Sequence, residues 1–420
     1  MKILHISHSD IVGGAARASY RLHKALLDSD IDSQMMVRVK KTDDWTILNP
    51  KSHLSKLAYT FSPTIGSYIN KLQKSKNINL RSGNWLPSNW ANKINSSDAD
   101  LVNIHWIGNE TLSIRDIGRI KKPIVWTMHD MWPFCGAEHY AEDSINARWR
   151  SGYTKGNRSN NDSKIDIDKL VWLRKTKAWK ETNIYTISPS QWLAECAKQS
   201  SLFQNRPITV IPNPLDTDIY KPLDKKICRD ILKLPQGKNI ILFGAIGGGN
   251  DPRKGYDLLI DALGKLKSKI DVKSTICVVF GQSKPYKLPD LPFTTLWLGH
   301  LYDDTTLSLL YNSADVMIVP SRVDNLPQTA TEAQSCGIPV IAFNTTGLQD
   351  IIAHLETGYL AKAFDTEDMA NGIQLILNEQ NNNDNFSIQA RKRAVHLWST
   401  QTVISQYHNL YKEILFLHRK

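Results

Sequence analysis

The sequence predicts an α/β protein made of two parallel-sheet domains. Three observations carry this: two successive series of short apolar runs alternating with helix-length segments, a proline-bracketed break between them, and a length that supports two cores. The first series is Lys2–Ser7, Gln34–Val39, Leu101–His105, Ile124–His129, Ile184–Ser188 and Ile208–Ile211. These runs are short and apolar, as buried parallel strands are. The second series is Ile240–Gly244, Ile276–Gly281, Thr295–Leu298, Val316–Val319 and Pro339–Phe343, with helical stretches at Tyr256–Lys269, Asp303–Ser313 and Thr366–Asn378. Pro212-Asn213-Pro214 disfavours continuation of helix or sheet, so residues 1–212 are expected to form one domain and 213–397 the other. Trp398 to Phe416 reads as a final helix with basic residues at its end.

At 420 residues and 41% hydrophobic content, the chain can bury two cores of about 200 residues each. Its N-terminal Met1-Lys2-Ile3-Leu4-His5-Ile6 turns polar too early for a signal peptide, and no run approaches the ~20 apolar residues that span a bilayer, so a cytoplasmic location is expected. Five scattered cysteines without a Cys-x-x-Cys pair argue against disulfides and zinc, and for reduced core thiols.

The net charge of +11 is unevenly spread. Residues 45–97 contain no acidic residue, while Lys51, Lys56, Lys71, Lys74, Lys76, Arg81 and Lys93 are interleaved with Trp45, Tyr59, Phe61, Tyr68, Trp85 and Trp90. That mixture suits an interfacial membrane contact; the competing reading is a solvated insertion whose aromatic residues pack on the domain. Nucleic acid is not expected as a partner, because the charge follows no recognisable binding module.

In parallel sheets, ligands sit beyond the carboxyl ends of the strands, which selects the polar residues directly after each run. Gly13-Gly14 precedes a helix-prone segment where backbone N–H groups would face a phosphate or sugar hydroxyl; a plain tight turn is the alternative. Arg17, Arg21 and Lys24 share a helix face, as ligand contacts or as a solvated stripe. His129 ends a strand beside Asp130-Met131-Trp132-Pro133-Phe134 and can bond a sugar hydroxyl, whereas His105-Trp106 reads more readily as structural. In the second half, Ala245 to Gly255 forms a mobile glycine loop, with Gly247 at its centre and Arg253 and Lys254 as phosphate-facing cations; a charged surface turn is the alternative. Phe280-Gly281-Gln282 follows a strand and is placed to border a base. Residues 315–361 form a strand–loop–helix–strand block in which Asp324 and Glu332 flank the helix start and Gly337 stops it.

Taken together, these segments resemble the family 4 retaining glycosyltransferases of the GT-B fold, two Rossmann-like domains facing across a cleft. The resemblance spans nearly the whole chain. It is carried by Gly13-Gly14-Ala15, His129-Asp130-Met131-Trp132-Pro133-Phe134, Ser188-Pro189-Ser190-Gln191-Trp192-Leu193, Ile211-Pro212-Asn213-Pro214-Leu215-Asp216, Asp251-Pro252-Arg253-Lys254-Gly255 and the 315–361 block. The family's Glu, seven residues, Glu pattern keeps its spacing, with Asp324 in the first position and Glu332 in the second.

The resemblance implies that Glu332 holds the nucleotide ribose, that Asp324 and the backbone of Asn325, Leu326 and Pro327 meet the donor sugar, and that Arg253 and Lys254 bind the diphosphate. It implies that His129 contacts the sugar near its reacting carbon, with Gly14, Gly247 and Gly281 on the donor side and Gly13, Arg17, His105 and Trp132 on the acceptor side. It also implies that helix 398–420 returns to the first domain. Retaining chemistry here is front-face displacement, needing no enzyme nucleophile but electrostatic stabilisation of the leaving diphosphate.

No Asp-x-Asp tripeptide, Asp216–Asp218 included, directly follows a strand within a nucleotide-binding half, so no essential metal or other cofactor is expected. Relatives building colanic acid, capsule or O-antigen imply a nucleotide-sugar donor, UDP first, and a glycan acceptor, lipid-linked, at the cytoplasmic face of the inner membrane. Ala141 to Lys180 is expected to be a partly mobile acceptor-side lid. A nucleotide-sugar epimerase of the same architecture and a non-catalytic sugar-nucleotide-binding protein are the alternatives.

Overall fold

A computed structural model describes residues 1–49, 53–75, 77, 79–244, 251–286, 291–380 and 385–419. The chain divides into two units, Met1–Ile211 with Ile404–Lys420, and Pro212–Val403.

The first unit contains β1 (Lys2–Ser9), β2 (Asp32–Val39), β3 (Ile47–Leu48), β4 (Gln73–Lys74), β5 (Leu101–Ile104), β6 (Ile124–Thr127), β7 (Ser163–Lys164), β8 (Ile184–Ser188) and β9 (Ile208–Val210). Seven of these make one sheet in the order β3-β2-β1-β5-β6-β8-β9, every pair parallel. The other two, β4 and β7, form a separate antiparallel ribbon. Consecutive residues Ile3 and Leu4 are both buried because helices cover both sheet faces.

The second unit contains β10 (Asn239–Gly244), β11 (Thr275–Phe280), β12 (Thr294–Trp297), β13 (Val316–Val319), β14 (Val340–Phe343) and β15 (Gly358–Ala361), in the parallel order β12-β11-β10-β13-β14-β15. Ile240 and Leu242 join one hydrophobic cluster while Ile241 and Phe243 join another, so alternate side chains feed cores on opposite faces. In each unit the strand order reverses at one point, between β1 and β5 and between β10 and β13. Those two switch points are where such sheets open a crevice for a ligand.

The expected final helix is preceded by another that the sequence reading does not contain. Helix Asn385–Trp398 stops at a buried Trp398, and a second helix, Thr400–Arg419, begins after Ser399, whose hydroxyl accepts from Thr402 N at 3.4 Å. The second helix completes the first unit: Asn103 on β5 donates to the Tyr411 hydroxyl at 2.7 Å, and Tyr407 Oη lies 3.3 Å from Thr127 Oγ1 on β6.

Ala141 to Lys180 is anchored at several points. Trp149 and Trp179 are fully buried there, and buried Lys175 donates to the carbonyls of Trp132, Cys135 and Gly136, which fastens helix Ile167–Ala178 to the β6 exit. All five cysteines are buried and unpaired. Among the described residues, no helix is long and apolar enough to cross a membrane.

Candidate active site

In the second unit, the segments after β10, β13 and β14 are bound together. Asp251 caps the turn Pro252–Lys254 by accepting from Arg253 N, and it holds the Arg253 guanidinium at 2.6 Å. The turn ends at Gly255, with φ +64°, where a Cβ would stand 1.9 Å from Pro320 O; only glycine fits this close backbone approach. Arg322 N donates to Arg253 O at 2.7 Å, and its guanidinium grips Asp257, so the post-β13 loop is clamped to the turn.

Within this clamp, Lys254 Nζ donates to Asp324 Oδ2 at 2.6 Å. Asp324 also accepts from Ser321 Oγ and Asn325 N, while its own N–H donates to Thr346 Oγ1. Gly347 N donates to Asp324 O, and a Cβ on Gly347 would lie 1.4 Å from Asn325 O. Arg253, Lys254, Asp324 and Asn325 are thus brought together at the carboxyl ends of β10 and β13, the unit's switch point. Leu326 is buried, and Pro327 leads into helix Gln328–Ser335.

Glu332 does not flank the helix start. It lies in the second turn, 2% exposed, and Tyr311 OH donates to its Oε2 at 2.7 Å. Burial and the facing Glu332 charge push the Tyr311 phenol well above its usual value, which keeps it a donor. Gly281, with φ +81°, ends β11 and donates its N–H to Gly299 O. Gly247 and the rest of Ala245–Asn250 lie outside the described residues.

In the first unit, Gly13 takes φ +94° and opens helix Gly14–Leu27, with Arg17 half-buried one turn on. The β1 exit is tied to its neighbours: the buried Asp10 carboxylate accepts from Lys41 N and Thr42 N, and His8 N donates to Trp106 O at 2.8 Å. His129 Nε2 lies 3.1 Å from His105 Nδ1, and His105 Nε2 lies 2.9 Å from His5 Nδ1. Burial lowers His129 to about 4 and holds His5 and His105 well below the usual imidazole value, so all three are neutral at pH 7.

Asp130, beside His129, accepts from Trp106 Nε1 at 2.8 Å and sits 2.6 Å from His139 Nδ1, whose Nε2 meets Ser82 Oγ at 2.8 Å. His139 and Ser82 were not foreseen from the sequence. His139 has no strand in front of it, and Ser82 belongs to an irregular segment, so the strand-end filter passes over both.

Two acceptor-side expectations are corrected. His105 and Trp132 are each 2% exposed: His105 stands behind His129, and the Trp132 ring is packed against Trp126, Trp179 and Lys175. A cavity of ≈ 520 Å³ does open in this unit. Its lining mixes amides such as Asn77 and Asn109 with Lys71, Arg81, Glu110 and the apolar Pro63 and Leu80, and it meets the His139 network at Ser82.

The basic aromatic stretch divides in two. Trp90 is buried and Trp85 stacks under Arg174, whereas Trp45, Phe61 and Tyr68 are 85%, 60% and 72% exposed. Lys51, Lys76 and the side chains of residues 53–60 lie outside the described residues.

Residues 224–393 match the family model for glycosyl transferases group 1. The matched stretch takes in the Lys254–Asp324 cluster and Glu332. Over 218 residues the chain is 23% identical to N-acetyl-alpha-D-glucosaminyl L-malate synthase of Bacillus anthracis, covering 50% of this chain and 55% of that protein. The chain spans about half the length of the curated relatives it matches.

Solved structures align over the whole length. Sucrose-phosphate synthase from Thermosynechococcus elongatus gives a TM-score of 0.67 at 16% identity, covering 99% of this chain and 100% of that one. Anabaena HepE in complex with UDP-glucose gives 0.63 at 15% identity, covering 98% and 100%. At such identities these likenesses speak for the fold, which is GT-B.

Proposed function

We propose that the protein is a retaining glycosyltransferase that moves a sugar from a nucleotide diphosphate donor, UDP in first place, to a glycan acceptor. The observation that carries this is the Lys254–Asp324 ion pair at the switch point of the second unit, within the stretch that matches the group 1 model. A lysine held there by one carboxylate is a ready cation for a diphosphate, and Arg253 one residue earlier adds a planar donor fork. Together they stabilise the charge that builds on the leaving phosphate, without a metal ion, while backbone at Asn325–Pro327 borders the sugar and Glu332 takes the ribose. The departing phosphate oxygen takes the acceptor's proton, so the reaction needs no enzyme nucleophile.

On the first unit, the cavity's amides and charged side chains offer the hydrogen bonding that a polyhydroxylated acceptor needs. The exposed Trp45, Phe61 and Tyr68, set among lysines, suit an acceptor presented at an anionic membrane surface, as in surface polysaccharide assembly. The test is a panel of nucleotide sugars with lipid-linked glycan acceptors, read by released nucleotide. UDP release that requires acceptor and is lost in Glu332→Ala is expected. Interconversion of donor sugars without acceptor would favour an epimerase, and no turnover of any donor would defeat the proposal.

A further inference from the structure

The three imidazoles behind the proposed sugar-facing surface form one hydrogen-bonded chain, His5–His105–His129, and its inner end is unpartnered: His5 Nε2 is buried without a hydrogen-bond partner among the described residues. A neutral imidazole carries one N–H, and each link between two rings holds one proton, so only two all-neutral arrangements exist. In one, His5 Nδ1–H donates to His105 Nε2, His105 Nδ1–H donates to His129 Nε2, and the inner orphan is a bare lone pair. In the other, every bond reverses and the orphan becomes a buried N–H without an acceptor.

A buried donor left unpaired is the rarer and costlier defect. The neighbouring His23 ring, edge-on to His5 with centroids 6.0 Å apart, offers it no acceptor nitrogen, since both are engaged by Ser33 and Thr46. Desolvation of all three rings removes the cationic alternatives at neutral pH.

We infer that the orphan nitrogen of His5 sets the tautomer of the whole chain, so that His129 carries its proton on Nδ1 and faces its ligand as a hydrogen-bond donor rather than as a base. Because Nε2 is tied to His105, Nδ1 is the nitrogen that half-buried His129 has to offer. His5 and His105 are positioning residues: they touch no ligand and act through His129. For the reaction proposed above, on which only this consequence rests, His129 donates to an oxygen of the sugar and takes no proton from the acceptor, leaving that to the departing phosphate.

The test uses the full chain labelled with ¹⁵N-histidine, and two-bond proton–nitrogen correlation spectra at pH 7 with His5, His105 and His129 assigned by single His→Gln variants. All three are expected as Nδ1–H, Nε2-bare rings, the form that free histidine does not favour in water. Finding His129 as Nε2–H or as an imidazolium in the unsubstituted protein overturns the inference, whatever the variants do.

In His105→Asn the amide can turn either its oxygen or its nitrogen to His129, so a mixed His129 tautomer is expected, with kcat down about tenfold, the worth of one hydrogen bond, and the KM for nucleotide sugar unchanged. A His129 signal that stays wholly Nδ1–H in that variant also overturns it. An inactive protein with the expected tautomers would sink the glycosyltransferase reading and leave this one standing.

Discussion

The Lys254 ammonium and the Asp324 carboxylate meet at 2.6 Å, joining the turn after β10 to the loop after β13. Lys254→Met should therefore lower kcat/KM by about 10²–10³-fold, the usual effect of removing one preorganised donor to a developing oxyanion. Asp324→Glu, which puts glutamate at both 324 and 332, should keep most activity, and Asp324→Asn should not. Steady-state kinetics with the identified donor decides; a fully active Lys254→Met would remove the diphosphate role.

Tyr311 is the buried donor that orients Glu332. Tyr311→Phe leaves that carboxylate short of a partner in a dry site and should cost about 1–3 kcal/mol of stability. Urea unfolding measures the loss, and calorimetric titration with UDP should show weaker binding in the same variant.

Gly347 lies against Asn325 O with no room for a methyl group. Gly347→Ala must push the 324–327 backbone away and should destabilise the second unit by about 1–3 kcal/mol, with nucleotide binding falling at least as far. A variant with the parent's unfolding midpoint and UDP affinity would contradict the close approach.

Acid should weaken the fold above the usual carboxylate range, against a smaller opposing trend from Glu138, whose carboxyl is pushed up to about 8 by burial and the neighbouring Asp168 charge. Burial lowers His8, His23 and His129 from the usual 6.5 to about 4, so between those values the unfolded chain binds protons that the folded one refuses. Their contribution is complete above pH 6.5 and is lost as the pH falls towards 4, with a slope of up to about 1.4 kcal/mol per pH unit for each ring. Urea midpoints at pH 7 and pH 5 test this; equal midpoints would contradict it. His23→Asn should flatten the dependence.

The strands legible in the sequence were those built from β-branched apolar runs, such as Val316–Val319 and Ile184–Ser188, where burial on both faces leaves an unbroken signal. Gly358–Ala361 and Ile47–Leu48 escaped notice because Gly-Tyr-Leu-Ala has no β-branched residue and the other strand is two residues long. Helix Asn385–Trp398 is absent from the sequence reading, whereas the start of the last helix is placed within two residues of Thr400, where Ser399 caps it.

At the site, strand-end position singled out Lys254, Asp324 and His129, but it says nothing of depth. It therefore left His105 and Trp132 among the acceptor-side candidates though both are buried, and put Glu332 at the helix start rather than in the second turn. The Asp130–His139–Ser82 network joins residues 9 and 57 positions apart without a periodic pattern, and His5 lies 100 positions from His105. Such pairings exist only once the sheet order is known.

The hydroxyl of Tyr411 on Asn103 has a consequence for synthesis. From Ile404 on, helix Thr400–Arg419 belongs to the unit that begins at Met1, yet the ribosome makes that part only after all of Pro212–Val403. The first sheet thus emerges with the Asn103 amide and the neighbouring face of β6 still uncovered, and the second unit is free to fold ahead of it. Residues 1–211 expressed alone should stay open and sticky until a chain bearing the last helix is supplied.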